Sequence, residues 1–318
     1  MSYRTMLLFV AVLLPLPLSA QNYPTKPVRV VAPYPPGSSA DIIGRIYAAR
    51  FTEMLGRQFV VDNRPGAAGN IAAELVARAA PDGYTLFLLN TPIASSQFLY
   101  KKLPFDVVRD FVPMGMLGIT SYMLVVNNAL PVHSTKELIA FAKDRPGKLN
   151  YASTGTGGGL HLTMEMLRMY TGIDMLHVPY KGSSSTVPDM IAGRIDAMFG
   201  TATSLLSHVR AGRIRALGIS SAKRSATMPD MPTIAETVPG FESVSFTSLA
   251  GPAGTPPGVV SVLGSAITKA AQSNDVTTAL TNQGTDAAIM TPGQTSAYIR
   301  DEIEKWRKVV TAAGLHPE

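Results

Sequence analysis

Val28-Arg29-Val30-Val31-Ala32, followed by Pro33-Tyr34-Pro35-Pro36-Gly37-Ser38 and then by Ser39-Ala40-Asp41, is the stretch whose reading decides the fold. The β-branched run predicts a strand. The Pro- and Gly-rich segment can continue neither strand nor helix. Beyond it, Ile42, Ile46, Ala49 and Leu55 recur near helical spacing, which predicts a helix over residues 39–55. The scheme repeats at once. Residues 59–61 predict a strand, 70–80 a helix and 84–89 another strand. Such alternation implies βαβ units and a parallel sheet with helices on both faces.

The pattern continues through the chain. Ser134 and Glu137 form an S-x-x-E capping box that starts a helix running to Lys143. Residues 148–152, 175–178, 195–199 and 214–219 predict strands, and 159–170 a helix. The Pro-rich segment 228–239 is expected to cross the surface as a linker. In Gly251-Pro252-Ala253-Gly254-Thr255-Pro256-Pro257, Thr255 is the expected N-cap and Pro256 the first helical residue. Residues 291–313 predict a long amphipathic helix. Its charged face carries Arg300, Asp301, Glu304, Lys305 and Arg307, and Trp306 is expected to pack. A chain of 318 residues exceeds one hydrophobic core and implies two domains.

The N-terminus has the order of a secretory signal: Arg4, an apolar run over residues 6–14, then Leu18-Ser19-Ala20. Residues 1–20 are therefore expected to be removed on export. Later apolar stretches are interrupted within about ten residues, well short of the ~20 a membrane-spanning helix needs. The net charge is +6, but basic residues are scattered, with no stripe of the kind a nucleic-acid binder carries. A mild positive field suits encounter with anionic solutes. There is no cysteine, which excludes disulfides, thiol nucleophiles and lipid attachment at an N-terminal Cys.

Three loops of small residues carry the candidate chemistry. They are Tyr34 to Asp41 with Gly37, Ser38 and Ser39; Asn90-Thr91-Pro92-Ile93; and Ser153-Thr154-Gly155-Thr156-Gly157-Gly158, which leads into the helix holding His161. Each follows a predicted strand, the end at which open α/β sheets bind ligands. Helix N-termini offer unpaired N–H groups to an anion, and glycine permits close approach. Any one loop is equally well a tight turn; three together favour a ligand. Asp41 is explained by capping at least as well as by ligand contact, and His161 either faces the cleft or packs. Gly155-x-Gly157 lacks the third glycine of a dinucleotide fingerprint, and there is no phosphate-binding G-K-[ST]. There is no G-x-S-x-G elbow, and His133, His161, His177, His208 and His316 form no H-E-x-x-H pair. No catalytic residue, metal or cofactor is expected.

At these loops the chain resembles the substrate-binding proteins of tripartite tricarboxylate transporters, the Bug family. The resemblance lies in Pro33-Tyr34-Pro35-Pro36-Gly37 with Ala40-Asp41 and Arg45, in Val61-Asp62-Asn63-Arg64-Pro65-Gly66-Ala67-Ala68-Gly69, and in Pro81-Asp82-Gly83-Tyr84-Thr85-Leu86. It continues in Tyr100-Lys101-Lys102-Leu103-Pro104-Phe105-Asp106, Val178-Pro179-Tyr180-Lys181-Gly182 and Ala250-Gly251-Pro252-Ala253-Gly254-Thr255-Pro256. It implies a periplasmic binding protein fold: two α/β lobes, a ligand cleft between them and two crossover strands. One lobe would comprise residues 21–123 plus 221–318, and the other 124–220. It further implies a periplasmic, monomeric protein that takes a small carboxylate, aliphatic or aromatic, for the membrane components of a tripartite transporter. In the family, backbone N–H groups and ordered waters of the first two loops hold a ligand carboxylate, and the glycine loop completes the pocket. The chain departs from the family at Gly37-Ser38, where a Gly pair is common, and at Phe246, where Trp is frequent. Tyr34 and Phe246 are the aromatic residues expected beside the ligand. A sensory protein presenting a carboxylate to a membrane receptor would share this pocket. A hydrolase or isomerase on a carboxylate would need a nucleophile–base pair that the chain does not display.

Overall fold

The computed structural model describes residues 23–180, 183–225 and 228–314. The expected signal (1–20), Lys181-Gly182 and His316 lie outside the described residues.

The chain runs β1 (Val28–Ala32), α1 (Ser39–Leu55), β2 (Phe59–Asn63), α2 (Asn70–Ala77), β3 (Thr85–Asn90), α3 (Thr91–Ser96) and β4 (Phe111–Asn127). It continues with α4 (Thr135–Lys143), β5 (Asn150–Ser153), α5 (Gly159–Thr171), β6 (Leu176–Pro179), α6 (Ser183–Ile191), β7 (Ala197–Thr201), α7 (Ala202–Arg210) and β8 (Ile214–Ile219). The last part holds β9 (Val244–Pro252), α8 (Pro257–Ala271), α9 (Asn274–Thr281), β10 (Thr285–Asp286) and α10 (Pro292–Ala312).

The sheet order is β2-β1-β3-β9-β4-β7-β5-β6, with β8 and β10 also on β4. The expected parallel pairing holds within β2-β1-β3 and within β6-β5-β7. The strands between those sets are antiparallel, because β4 carries the chain out of the first half and β8 and β9 bring it back. Residues 111–121 of β4 pair with β9, and 122–127 with β7 and β8. Ser220 marks the change of partner. Its N–H donates to the Tyr122 carbonyl at 2.8 Å, and its Oγ accepts from Tyr122 N–H at 2.8 Å and donates to the Ser243 carbonyl.

Helices cover both faces of each half. Alternate side chains of β1 and β3 sort into two cores. Val30, Leu86 and Leu88 pack with Ile43, Tyr47 and Phe51 of α1 and with α8 and α9. Val31, Phe87 and Leu89 pack with α2, α3 and Ile299 of α10. In the second half, one core joins Leu124, Tyr151 and Phe199 to α4 and α5, and the other joins Met123, Val125 and Met198 to α6 and α7. The end of α10 enters the first of these: Trp306, Val309 and Val310 belong to it. One helix thus has a side chain in a core of each half.

Several details differ from expectation: α2 ends at Ala77 rather than at residue 80, and β7 starts at Ala197 rather than at residue 195. Pro256, not Thr255, is the N-cap of α8, because Pro257 occupies the first helical position and Thr255 Oγ1 instead donates to the Pro252 carbonyl. The 228–239 segment is anchored: Thr233 and Glu236 form a capping box, and Ile234 is buried. At α4, Ser134 Oγ accepts from Glu137 N–H, but the Glu137 carboxylate reaches back to His133 N–H.

Trp306 is fully buried, and its Nε1 donates to Glu302 at 3.1 Å. Trp306→Ala should lower stability by about 3–5 kcal/mol. Chemical denaturation should show a lower midpoint, and an unaltered midpoint would place the ring outside the core.

Candidate functional site

The first loop is braced rather than open. Ser38 caps α1 by accepting from Asp41 N–H. Asp41 accepts from Gly37 N–H at 2.8 Å, Arg45 Nε at 3.0 Å and Asn63 Nδ2 at 2.8 Å. Burial alone would raise its pKa, but these donors outweigh it and hold the carboxyl below the usual range. The Asp41 oxygens are therefore engaged within the loop, while Gly37 and Ser39 are exposed. Tyr34 Oη lies 3.4 Å from the Ala68 carbonyl and 3.5 Å from Asn90 Oδ1. Burial raises its pKa, so the phenol stays a neutral donor.

In the second loop Asn90 caps α3 by accepting from Ile93 N–H. Thr91 Oγ1 accepts from Phe246 N–H at 3.0 Å, and Ile93 is fully buried. Pro92 alone of this loop lines a cavity. Phe246 is also fully buried, with its ring edge-on to Tyr298 at 5.7 Å. The structure thus brings Tyr34 toward the cavity wall and keeps Phe246 within the core.

The third loop is the opposite wall. A cavity of about 320 Å³ is lined by Ala68, Pro92, Ser96, Leu99 and Tyr100 on one side and by residues 154–158 on the other. Its lining carries no charged side chain, and hydroxyls come from Ser96, Tyr100, Thr154 and Thr156. Gly158, the N-cap of α5, supplies no side-chain cap, so the first N–H groups of this thirteen-residue helix point out of its start. Gly155 and Gly157 have φ of 136° and 75°, a region L-residues avoid; Gly158 has an ordinary φ of −69°. Ser153 and His161 lie beneath the loop. Ser153 is fully buried with Oγ 2.7 Å from His177 Nε2, and His161 Nδ1 accepts from Gly157 N–H at 2.9 Å.

Sequence reading passed over Ala68, Ser96, Leu99 and Tyr100 as site residues. Ala67 and Ala68 adopt φ of 45° and 54° between Gly66 and Gly69, also at positive φ. Four such residues in succession turn the chain into the wall. A larger open groove of about 760 Å³ runs along α8 past Lys269 and Pro292, away from the three loops. Among the described residues no group of three or more His, Cys, Asp or Glu could hold a metal, and no helix is long and apolar enough to cross a membrane.

Two α/β halves joined by antiparallel crossing strands, with loops from both meeting around a cavity at strand ends, define a solute-binding protein of the periplasmic type. The description "Tripartite tricarboxylate transporter family receptor" matches residues 43–315, and the chain belongs to that family. Its members are receptors rather than enzymes. BugT of Bordetella pertussis is 38% identical over 301 residues, 94% of this chain and 92% of its own length. A Rhodopseudomonas palustris protein solved with adipate superposes with a TM-score of 0.81 at 34% identity, over 93% of this chain and all of that one. MatC from the same species, with bound malate, gives 0.76 at 29% identity, over 91% of this chain and all of that one.

The glycines make separable claims. Gly157→Val forces a β-branched residue to positive φ, with Leu99 Cδ1 3.2 Å from the new Cβ. It should destabilise by at least about 1–2 kcal/mol. Gly158→Val needs no special backbone and meets only the Gly155 carbonyl at 3.3 Å, so it should melt close to wild type. Equal losses in thermal melts of the two variants would contradict this geometry.

Proposed function

We propose that the protein captures a small carboxylate in the periplasm and delivers it to the membrane components of a tripartite transporter. The observation that carries this reading is the uncapped start of α5 behind a glycine loop, facing a neutral cavity walled by the other half. A carboxylate placed there would be held by backbone N–H groups and hydroxyls, with no cationic clamp. Hydrogen bonds to a charged group contribute about 1.5–3 kcal/mol each. Several of them exceed the ~8 kcal/mol of micromolar binding and so leave room for the cost of association. The cavity is at the small end of the ~300–1,000 Å³ range of ligand pockets, a fit for molecules the size of the neighbours' adipate and malate. The N-terminal pattern and the family's periplasmic role support export.

The same reading divides the chain into lobes of residues 21–123 plus 221–318 and of 124–220. The switch of β4 partners at Ser121 and Tyr122, and the return at Ser220, support it. The residues proposed to meet ligand are Pro92 and residues 154–158, together with Ala68, Ser96, Leu99 and Tyr100, with Tyr34 beside them.

A thermal-shift panel of adipate, malate, other mono- and dicarboxylates, amino acids and sugars tests the class. A true ligand at a hundredfold excess over Kd adds ~2.7 kcal/mol of stability. Acids should dominate the hits; a sugar hit with no acid would overturn the reading. With the best acid, calorimetry on folded Gly158→Val should show tenfold or greater weakening, ~1.4 kcal/mol. Unchanged affinity would place the pocket elsewhere.

A further inference from the structure

Beneath the glycine loop lies a stack of three rings. His161 and His177 are 4.0 Å apart between centroids and 19° from parallel, and His177 stacks in turn on Tyr151 at 4.9 Å. Both histidines touch the loop. Gly157 N–H donates to His161 Nδ1 at 2.9 Å, so the neutral ring carries its proton on Nε2, which lies 3.8 Å from Glu165 Oε1. Ser153 Oγ stands 2.7 Å from His177 Nε2, 3.2 Å from Gly155 N and 3.1 Å from Gly155 O. One assignment satisfies all three contacts: His177 Nε2–H donates to Ser153, which accepts from Gly155 N–H and donates to the Gly155 carbonyl.

We infer that His161 and His177 are positioning residues whose neutral, Nε2-protonated rings hold residues 153–157 in the conformation that faces the ligand, and that protonation of His161 releases the loop. The inference rests on the glycine loop being the anion-binding wall. A second proton on His161 can sit only on Nδ1, where it meets Gly157 N–H donor to donor and removes the acceptor.

The groups facing His161 are few. His177 and Tyr151 come from the sheet, and Glu165 and Arg168 from its own helix. The Glu165 charge is already shared: the Tyr151 hydroxyl donates to it, and Arg168 Nη1 lies 2.7 Å away, with Arg168 also reaching Asp174. On α10, which packs on α5, Glu302 is engaged by Lys305 and Trp306. On β4, the Tyr122 hydroxyl abuts Gly159, and burial pushes its pKa up to about 12, so it stays neutral. Burial, helped by His177, therefore prevails over Glu165 and lowers the His161 pKa to about 4, and burial lowers that of His177 as well. A depressed base favours the held loop fully above the ordinary histidine value of about 6.5. That preference is lost as pH falls through about 4.

Two measurements test this. On ¹⁵N-histidine- and ¹⁵N-glycine-labelled protein without ligand, NMR at pH 7.5 should show His161 Nδ1 unprotonated. On acidification the Gly157 amide should shift with the His161 midpoint. Calorimetry with adipate at pH 7.5 and at about 4, the His161 midpoint, should then show His161→Leu weakened tenfold or more at the higher pH. His161→Asn, whose Oδ1 replaces Nδ1 as acceptor, should recover most of that loss and lose the excess pH dependence of wild type. Adipate's own titration is common to all the proteins, so the difference reports the ring. A Gly157 amide indifferent to His161 protonation, or a His161→Leu protein that binds as wild type, would overturn the inference. Tracking of Gly157 with His161 in a wild type that binds no carboxylate would uphold the positioning and sink the ligand reading.

Discussion

Everything in this molecule hangs on one seventeen-residue strand. β4 is buried along most of its length, and buried backbone N–H and C=O groups must be paired. No single partner runs its whole course. β9 serves its first part and β8 its last, while β7 and β10 take the other edge. Where one partner gives way to the next, Ser220 and Ser243 close the gap, and Thr163 of α5 joins them through a 2.6 Å contact between hydroxyls. The two halves are thus continuous through hydrogen bonds where β4 changes partners. The start of α5, with its glycine loop, is tied directly to that junction.

No charged side chain lines the cavity. Arg45 is engaged by Asp41, and Arg168 by Glu165 and Asp174. Asp41 in turn braces the first loop through Gly37, and Glu165 accepts from Tyr151 of β5. A cation committed to a fixed protein partner does not swing toward a ligand. The polar groups facing the cavity are backbone and hydroxyl, set among the apolar Ala68, Pro92 and Leu99, and such preorganised donors lower the cost of binding.

The alternation of strand and helix was legible because apolar periodicity reflects burial on both faces of a sheet. β4 itself was not. Pro113, Gly115 and Gly118 interrupt it and read as breakers. The structure shows why they are tolerated: the register with β9 shifts between Pro113 and Gly115 and again between Met116 and Gly118. A Cβ on Gly115 would meet Ile267 at 3.0 Å, and one on Gly118 would meet Thr285 at 2.6 Å. The glycine loop was legible for its composition, but its supports were not. His161 and His177 are sixteen residues apart, and the pairing of β5 with β6 and the packing of α5 on that sheet bring them together. Ala67 and Ala68 take a backbone conformation that alanine disfavours, so composition gave no warning of the turn they make. Leu99 carries no chemical signature, and Tyr100 was read only as the start of a family motif. Phe246 was expected beside the ligand because Trp is frequent there in the family; alternation along β9 turns its ring into the core.

α10 gives the architecture a mechanical property. Two strands meeting at one line would let the bodies they join swing freely about it. A third tether runs beside them: α10 spans about 31 Å at 1.5 Å per residue, is fixed at Ile299 in one core and at Trp306 in the other, and leans on β9 where Tyr298 meets Phe246. Any swing must bend this rod or drag an indole through close-packed side chains. A swing of the halves about the crossing strands would therefore have to disturb the packing of this one helix in both cores.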